Sequence, residues 1–174
     1  GHPRSALDLV EPLAGRSEAA LPLVMVHRIL GQARSAVGDR AGSIAAFQAG
    51  ARMASALGMV AMAQELEVAA AVVTADTGGL DTALDVVAEV VRRADAEGSA
   101  LSRSWARTVH AWLLTRVDPA AAFDAAGEAL AEARAAAYPI AIAVNQRTQA
   151  YAQLLRDDCA GAARTLSGLL DDLL

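Results

Sequence analysis

In a chain of 174 residues of which only 3% are aromatic, two tryptophans seven residues apart are the first place to look for chemistry. Trp105 and Trp112 share a face if their segment is helical, and each offers a partner a large apolar area with one N–H donor. Arg103 and Arg107 flank Trp105, where a guanidinium can pair with an anion or stack on the ring. The alternatives are solvated arginines and tryptophans that only fill space between slim helices. A second polar concentration is the run Asn145-Gln146-Arg147-Thr148-Gln149, with Tyr151 and Gln153 beyond it. Its amides supply the paired donors and acceptors that fix a sugar, a peptide backbone or another polar ligand, or else they form an exposed helix face.

The remaining reactive side chains do not assemble into a reaction. His27 and His110 each lack a second ligand three or four residues away, so they read as neutral imidazoles rather than metal ligands. Cys159 is the single cysteine, has no basic neighbour in sequence but Arg156, and cannot form an internal disulfide. No carboxylate pair, Ser-His-Asp arrangement or HExxH motif stands out, and Asp157-Asp158 and Asp171-Asp172 read as caps or solvated ends. The expectation is a binding protein, not an enzyme, with no cofactor and no metal.

The elements that must position these residues are helices. About a quarter of the residues are Ala, the best helix former, and 55% are hydrophobic against 20% charged, as in a folded domain. No apolar run approaches the roughly 20 residues of a membrane span. All fifteen basic residues are Arg, and the net charge of −5 argues against direct binding of nucleic acid, which needs a basic face. The lone cysteine and the absence of a recognisable signal peptide point to a cytoplasmic location. Gly1-His2-Pro3-Arg4 lacks an initiator Met and looks like a tag remnant, so residues 1–14 are read as remnant and lead-in, and residues 15–174 as a repeat domain cut from a larger protein.

Turn signals recur at a fixed interval. Gly38-Asp39, Gly78-Gly79, Asp118-Pro119 and Asp158-Cys159 are each 40 residues apart, and Gly58, Gly98 and Tyr138-Pro139 form a second series between them. Between the marks the pattern is helical: Leu80, Leu84, Val87 and Val91 share one face, and Asp118 before Pro119 is a strong helix start. The spacing predicts helices at 18–37, 41–57, 60–76, 80–97, 100–116, 120–137, 140–156 and 160–173. Helices of this length joined by so few residues must run antiparallel, and no pair alone has enough apolar face to be stable. The expected fold is all-α, a right-handed α-solenoid of about four helix pairs whose first helices line a concave groove.

The segments "VGDRAGSIAAFQAGARMASALG" and "GGLDTALDVVAEVVRRADAEG" carry a further signal: a Gly-Asp or Gly-Gly opening, small residues at the helix crossings, and a closing Gly. In this the chain resembles the tetratricopeptide superfamily, in particular the long-repeat modules of MalT-like, LuxR-family ATP-dependent transcriptional regulators from actinobacteria. The resemblance covers most of residues 15–174 with degenerate motifs, and HEAT repeats share the 40-residue length. With Ser43, Ala83 and Ala163 as the small residue of the second helix, the small residue of the first helix, twelve positions earlier, falls on Gly31, Ala71 and, for the third repeat, Ala111. Phe123 and Tyr151 break this register in the C-terminal half, and a one-residue slip would rescue both.

The resemblance implies a site as well. The groove-lining positions of tetratricopeptide first helices transfer to three columns: Met25, Glu65, Trp105 and Asn145; Arg28, Val68, Thr108 and Thr148; Gln32, Val72 and Trp112. The expected binding residues are therefore Arg28, Gln32, Glu65, Arg103, Trp105, Arg107, Trp112, Asn145 and Gln149. Such modules sense an inducer or partner protein between an ATPase domain and a helix-turn-helix; neither flank is recognisable here, so ATP and DNA binding are not assigned. The expected partner is a protein, a peptide or a small-molecule effector. The alternative is a structural scaffold that self-associates through the leucines of the last helix, Leu166, Leu169, Leu170, Leu173 and Leu174.

Overall fold

A computed structural model describes residues 2–15, 21–97 and 100–173, with side chains of the last helix described as far as Leu169. Gly98, residues 18–20 of the first expected helix, and the side chains of Leu170, Asp171, Asp172, Leu173 and Leu174 lie outside the described residues. Those described are helical apart from the short links, in nine elements: α1 (Pro3–Ala14), α2 (Leu21–Ala36), α3 (Arg40–Ala56), α4 (Val60–Asp76), α5 (Leu80–Glu97), α6 (Ala100–Leu114), α7 (Pro119–Ala135), α8 (Pro139–Leu155) and α9 (Cys159–Leu173). Among the described residues no helix is long and apolar enough to cross a membrane. The all-α repeat of consecutively packed helices is present, and α2 to α9 match the expected helices to within about three residues. The lead-in at residues 3–14 is itself a helix, packed on α2 and tied to it by an Arg34–Glu11 ion pair of 2.5 Å.

The links show why the helices start and stop where they do. Asp39, Asp118 and Asp158 each turn a carboxylate onto the free amides of the next helix: Gly42 N at 2.9 Å, Ala120 and Ala121 N at 3.0 Å, and Gly161 N at 2.8 Å. Pro119 and Pro139 occupy the first helical position, where a missing N–H costs nothing. Gly38, Gly58 and Gly78 end their helices in the left-handed region, with φ of 90°, 70° and 93°, and Ala137 and Asp157 do the same without glycine at 49° and 61°. The α6–α7 link has no left-handed residue of this kind. The stretch from Ala111 of α6 to Ala122 of α7 is one residue shorter than Gly31–Ser43, Ala71–Ala83 and Ala150–Ala162, because α6 stops early at Leu114, and every cap after it arrives one position early.

That missing residue explains the broken register. The buried small residue of α7 is Ala122 rather than Phe123, that of α8 is Ala150 rather than Tyr151, and that of α9 is Ala162, while Ala163 is exposed. Repeats three and four therefore keep the packing rule of the first two, shifted by one residue from α7 onward.

Contacts divide the chain into two compact units, Gly1–Val86 and Val87–Leu174. In the first, α3 lies between α2 and α4 around a core of Val24, Phe47, Ala51, Ala54, Ala63, Leu66, Ala70 and Val73. Close approach rests on two glycines. A Cβ at Gly31 would stand 2.6 Å from the Phe47 ring, and one at Gly50 would meet His27 Cβ and Leu66 Cδ1 at 3.0 Å. Ser43 Oγ fixes the α2–α3 crossing by donating to Gly31 O at 2.7 Å.

In the second unit, α7 packs against both α6 and α8, which also touch each other. Its core is built mostly of alanine: Ala106, Ala111, Ala122, Ala126, Ala129, Ala133, Ala150 and Ala152 are buried with Val109, Leu113 and Leu130. Polar side chains are buried beside them. Ser104, Thr108, Asn145, Gln146 and Thr148 are all nearly inaccessible.

Candidate binding surfaces

In the first unit, Arg28 on α2 and Glu65 on α4 face one another in an ion pair of 2.6 Å, each side chain about one third exposed (33% and 35%). Two of the expected binding residues thus hold adjacent first helices together, and an ionic ligand would have to compete with that pair. Gln32, one turn beyond Arg28, is exposed, and Met25 is half-buried. Two shallow cavities of the unit lie elsewhere, beside α4: one of 330 Å³ is lined by Gln48, Arg52, Ser55 and Glu67, and one of 150 Å³ by Gln48, Glu67, Thr74 and Thr82. Two residues along a helix is about 200°, so Glu67 looks away from Glu65, and these cavities open on the other side of α4.

In the second unit the same arithmetic separates Arg103 and Arg107 from the tryptophans. Both arginines turn toward Asp95 on α5 and Glu132 on α7. Arg107 Nη1 meets Glu132 Oε1 at 2.5 Å and its Nη2 meets Asp95 Oδ2 at 3.3 Å, while Arg103 Nε stands 3.6 Å from both carboxylates. Two cations and two anions balance, so the arginines neither stack on Trp105 nor offer net charge to a ligand. The stacking that does occur was missed: the guanidinium of Arg116 lies over Trp112, 4.7 Å from the ring centre, an (i, i+4) neighbour visible in the sequence. Trp105 and Trp112 are both half-buried.

The polar run of α8 points mostly inward. Asn145 is fully buried and donates from Nδ2 to Thr108 Oγ1 at 2.9 Å, while Thr108 donates to Ser104 O and Thr148 to Val144 O. The Asn145 amide is thus spent on the α6–α8 contact, where no ligand reaches it, and its Oδ1 has no hydrogen-bond partner among the described residues. Gln149 is half-buried over α7, where a Cβ added at Gly127 would lie 3.2 Å from its Nε2. Only Arg147 and Tyr151 of this stretch are exposed. With the one-residue shift, Val144, Arg147 and Tyr151, not Asn145 and Thr148, continue the columns of Met25, Arg28 and Gln32.

Val68, Thr108 and Thr148 are buried, so the middle column is largely packing and not surface. His27 is buried between α2 and α3; desolvation, then the charges of Arg52 and Arg34, lower its pKa, and its Nδ1 has no hydrogen-bond partner among the described residues. Desolvation lowers the pKa of His110 as well. Cys159 is exposed at the first position of α9. Among the described residues no group of three or more His, Cys, Asp or Glu is placed to hold a metal ion. Compared with known proteins, the chain matches no family model and no curated protein.

Proposed function

We propose that this chain is a non-catalytic binding module that engages a peptide, protein or small-molecule effector through its first helices. We further propose that it serves as the sensory part of a cytoplasmic bacterial transcriptional regulator of the MalT-like, LuxR-family kind. The observation that carries the binding reading is the pair Trp105 and Trp112. They sit on one face of α6, each partly accessible, with Arg116 stacked on the second ring. A half-exposed Trp suits an apolar or aromatic group of a partner. The tetratricopeptide resemblance supports the regulator assignment, and the repeat fold is of a kind that displays long runs of adjacent side chains to a partner.

Titration with effectors of the parent regulator, followed by intrinsic tryptophan fluorescence and thermal unfolding, tests this. Binding to the folded state raises the melting temperature by mass action, and Trp112→Ala should abolish both signals. Effectors that bind with no change in fluorescence, or equally well to Trp105→Ala and Trp112→Ala, would remove α6 from the binding surface.

A further inference from the structure

Within the first unit, α3, α4 and the first turns of α5 each turn one face onto a common groove. On α3 the lining residues are Gln48, Ala51, Arg52 and Ser55, and on α4 they are Glu67, Ala70, Ala71 and Thr74. Both sets follow the helical spacing i, i+3, i+4 and i+7. Thr82, Ala83 and Val86 complete the groove from α5. The four alanines are buried and small, which leaves open the space that larger side chains would fill. Two cavities result, of 330 Å³ and 150 Å³, joined in their lining by Gln48 and Glu67. The larger one alone reaches the lower end of the roughly 300–1,000 Å³ of small-molecule sites.

The two cavities differ in chemistry. The larger presents the Arg52 guanidinium, the Glu67 carboxylate, the Gln48 amide and the Ser55 hydroxyl. The smaller is walled mainly by Ala70, Ala71, Ala83 and Val86, and its Thr74 hydroxyl is already donated to Ala70 O at 2.9 Å. Elsewhere in this unit opposite charges that face one another meet, as Arg28 and Glu65 do at 2.6 Å and Arg34 and Glu11 at 2.5 Å. Arg52 and Glu67 line one cavity and do not pair with each other. The Arg52 guanidinium, the Gln48 amide and the Ser55 hydroxyl have no hydrogen bond or ion pair among the described residues.

We infer that this groove binds a free α-amino acid with an apolar side chain. Its carboxylate lies on Arg52 and Ser55, its ammonium on Glu67, and its side chain in the smaller cavity over Ala71 and Val86. A simple anion would bring its charge against Glu67 and a simple cation against Arg52, whereas a zwitterion satisfies both. Gln48, which lines both cavities, supplies an amide to either charged group. The site lies on helices other than α6, so it does not depend on the tryptophan face.

The test titrates the whole isotope-labelled protein with L-leucine, leucinamide and isocaproate, followed by its amide NMR signals. Leucine should shift signals around Arg52 and Glu67 saturably, with a Kd on the order of 1 mM. Leucinamide lacks the carboxylate and isocaproate lacks the ammonium, and each should bind about tenfold more weakly or worse. Arg52→Gln should reduce leucine to the level of leucinamide, and Glu67→Gln to the level of isocaproate. Arg164→Gln, at an exposed position of α9, should bind as the parent does. The comparison of the three compounds on the parent protein stands even if a variant fails to fold. Absence of saturable shifts at the groove overturns the proposal. Leucinamide binding as tightly as leucine overturns it through Arg52, and isocaproate binding as tightly overturns it through Glu67. Failure here with an intact tryptophan response to effector leaves the α6 reading standing, and the reverse result leaves this groove standing alone.

Discussion

The two halves of this molecule solve the same packing problem with different residues. In Gly1–Val86, glycine at the crossings lets one large ring, Phe47, fill the space between α2 and α3, and the seam is closed by a surface ion pair. In Val87–Leu174, alanine replaces glycine and no large ring is buried, so α6 and α8 are joined by a hydrogen-bonded pair of polar side chains. The first arrangement stores its specificity in shape, since interiors pack as densely as crystals and tolerate little added volume. The second stores it in direction, because a buried amide must find its partner or forfeit the desolvation cost.

The contrast can be broken at three points, and the largest effect belongs to shape. Gly31→Leu drives side-chain carbon into the Phe47 ring and should cost the first unit about 3 kcal/mol in urea unfolding. At the equivalent position of the second unit the opposite change, Ala150→Gly, brings in the first unit's glycine without a clash and should cost about 1 kcal/mol through helix propensity. Similar losses for the two would mean that the halves are not built differently.

The next effect belongs to direction. Asn145→Ala removes the bond to Thr108 and opens a void, for a loss of about 2 kcal/mol. Asn145→Leu refills the void and also removes the unpartnered Oδ1, so its stability should lie within about 1 kcal/mol of the parent. If the leucine variant is as damaged as the alanine variant, the amide does more than join two helices.

The smallest effect is on pH dependence. The pKa of His27 in the folded protein lies below its usual 6.5, so the unfolded chain binds the proton more readily. Its contribution is fully present above about pH 6.5 and is lost as the pH falls through that value toward the folded pKa. His27→Gln should flatten the slope of stability against pH on the acid side in the first unit. His110, lowered by burial as well, leaves a similar slope in the second. An unchanged slope in His27→Gln would show that the imidazole is as well solvated folded as unfolded.

Most of the helix plan could be read from the residues because it is local: an Asp cap, a proline at the first position and a glycine at the end act within a few residues. The lead-in helix escaped because Pro12 interrupts it, although Leu7, Val10 and Ala14 mark one half-buried face. The opposite facing of Arg103 and Trp105 was also legible, since a two-residue step is more than half a turn. The burial of Asn145 was not. Its partner Thr108 is 37 residues away, and only the packed helices decide which side of α8 turns inward. The register slip lay between these cases: the caps Asp39 and Asp118 are 79 residues apart rather than 80, a discrepancy hidden by aligning Asp118 with Gly38.

The residue missing between Ala111 of α6 and Ala122 of α7 has a consequence for how such a chain can change length. A residue lost past the last packed turn of a helix, where the helix gives way to its link, leaves the packed faces on both sides intact; it moves the numbering of every later contact but none of the contacts within each helix pair. A residue lost inside α7 would instead rotate everything beyond it by about 100°, turning Ala126, Ala129 and Ala133 out of the core. Helix ends and links are therefore where this fold absorbs insertions and deletions, and its strict period belongs to the packed turns between them.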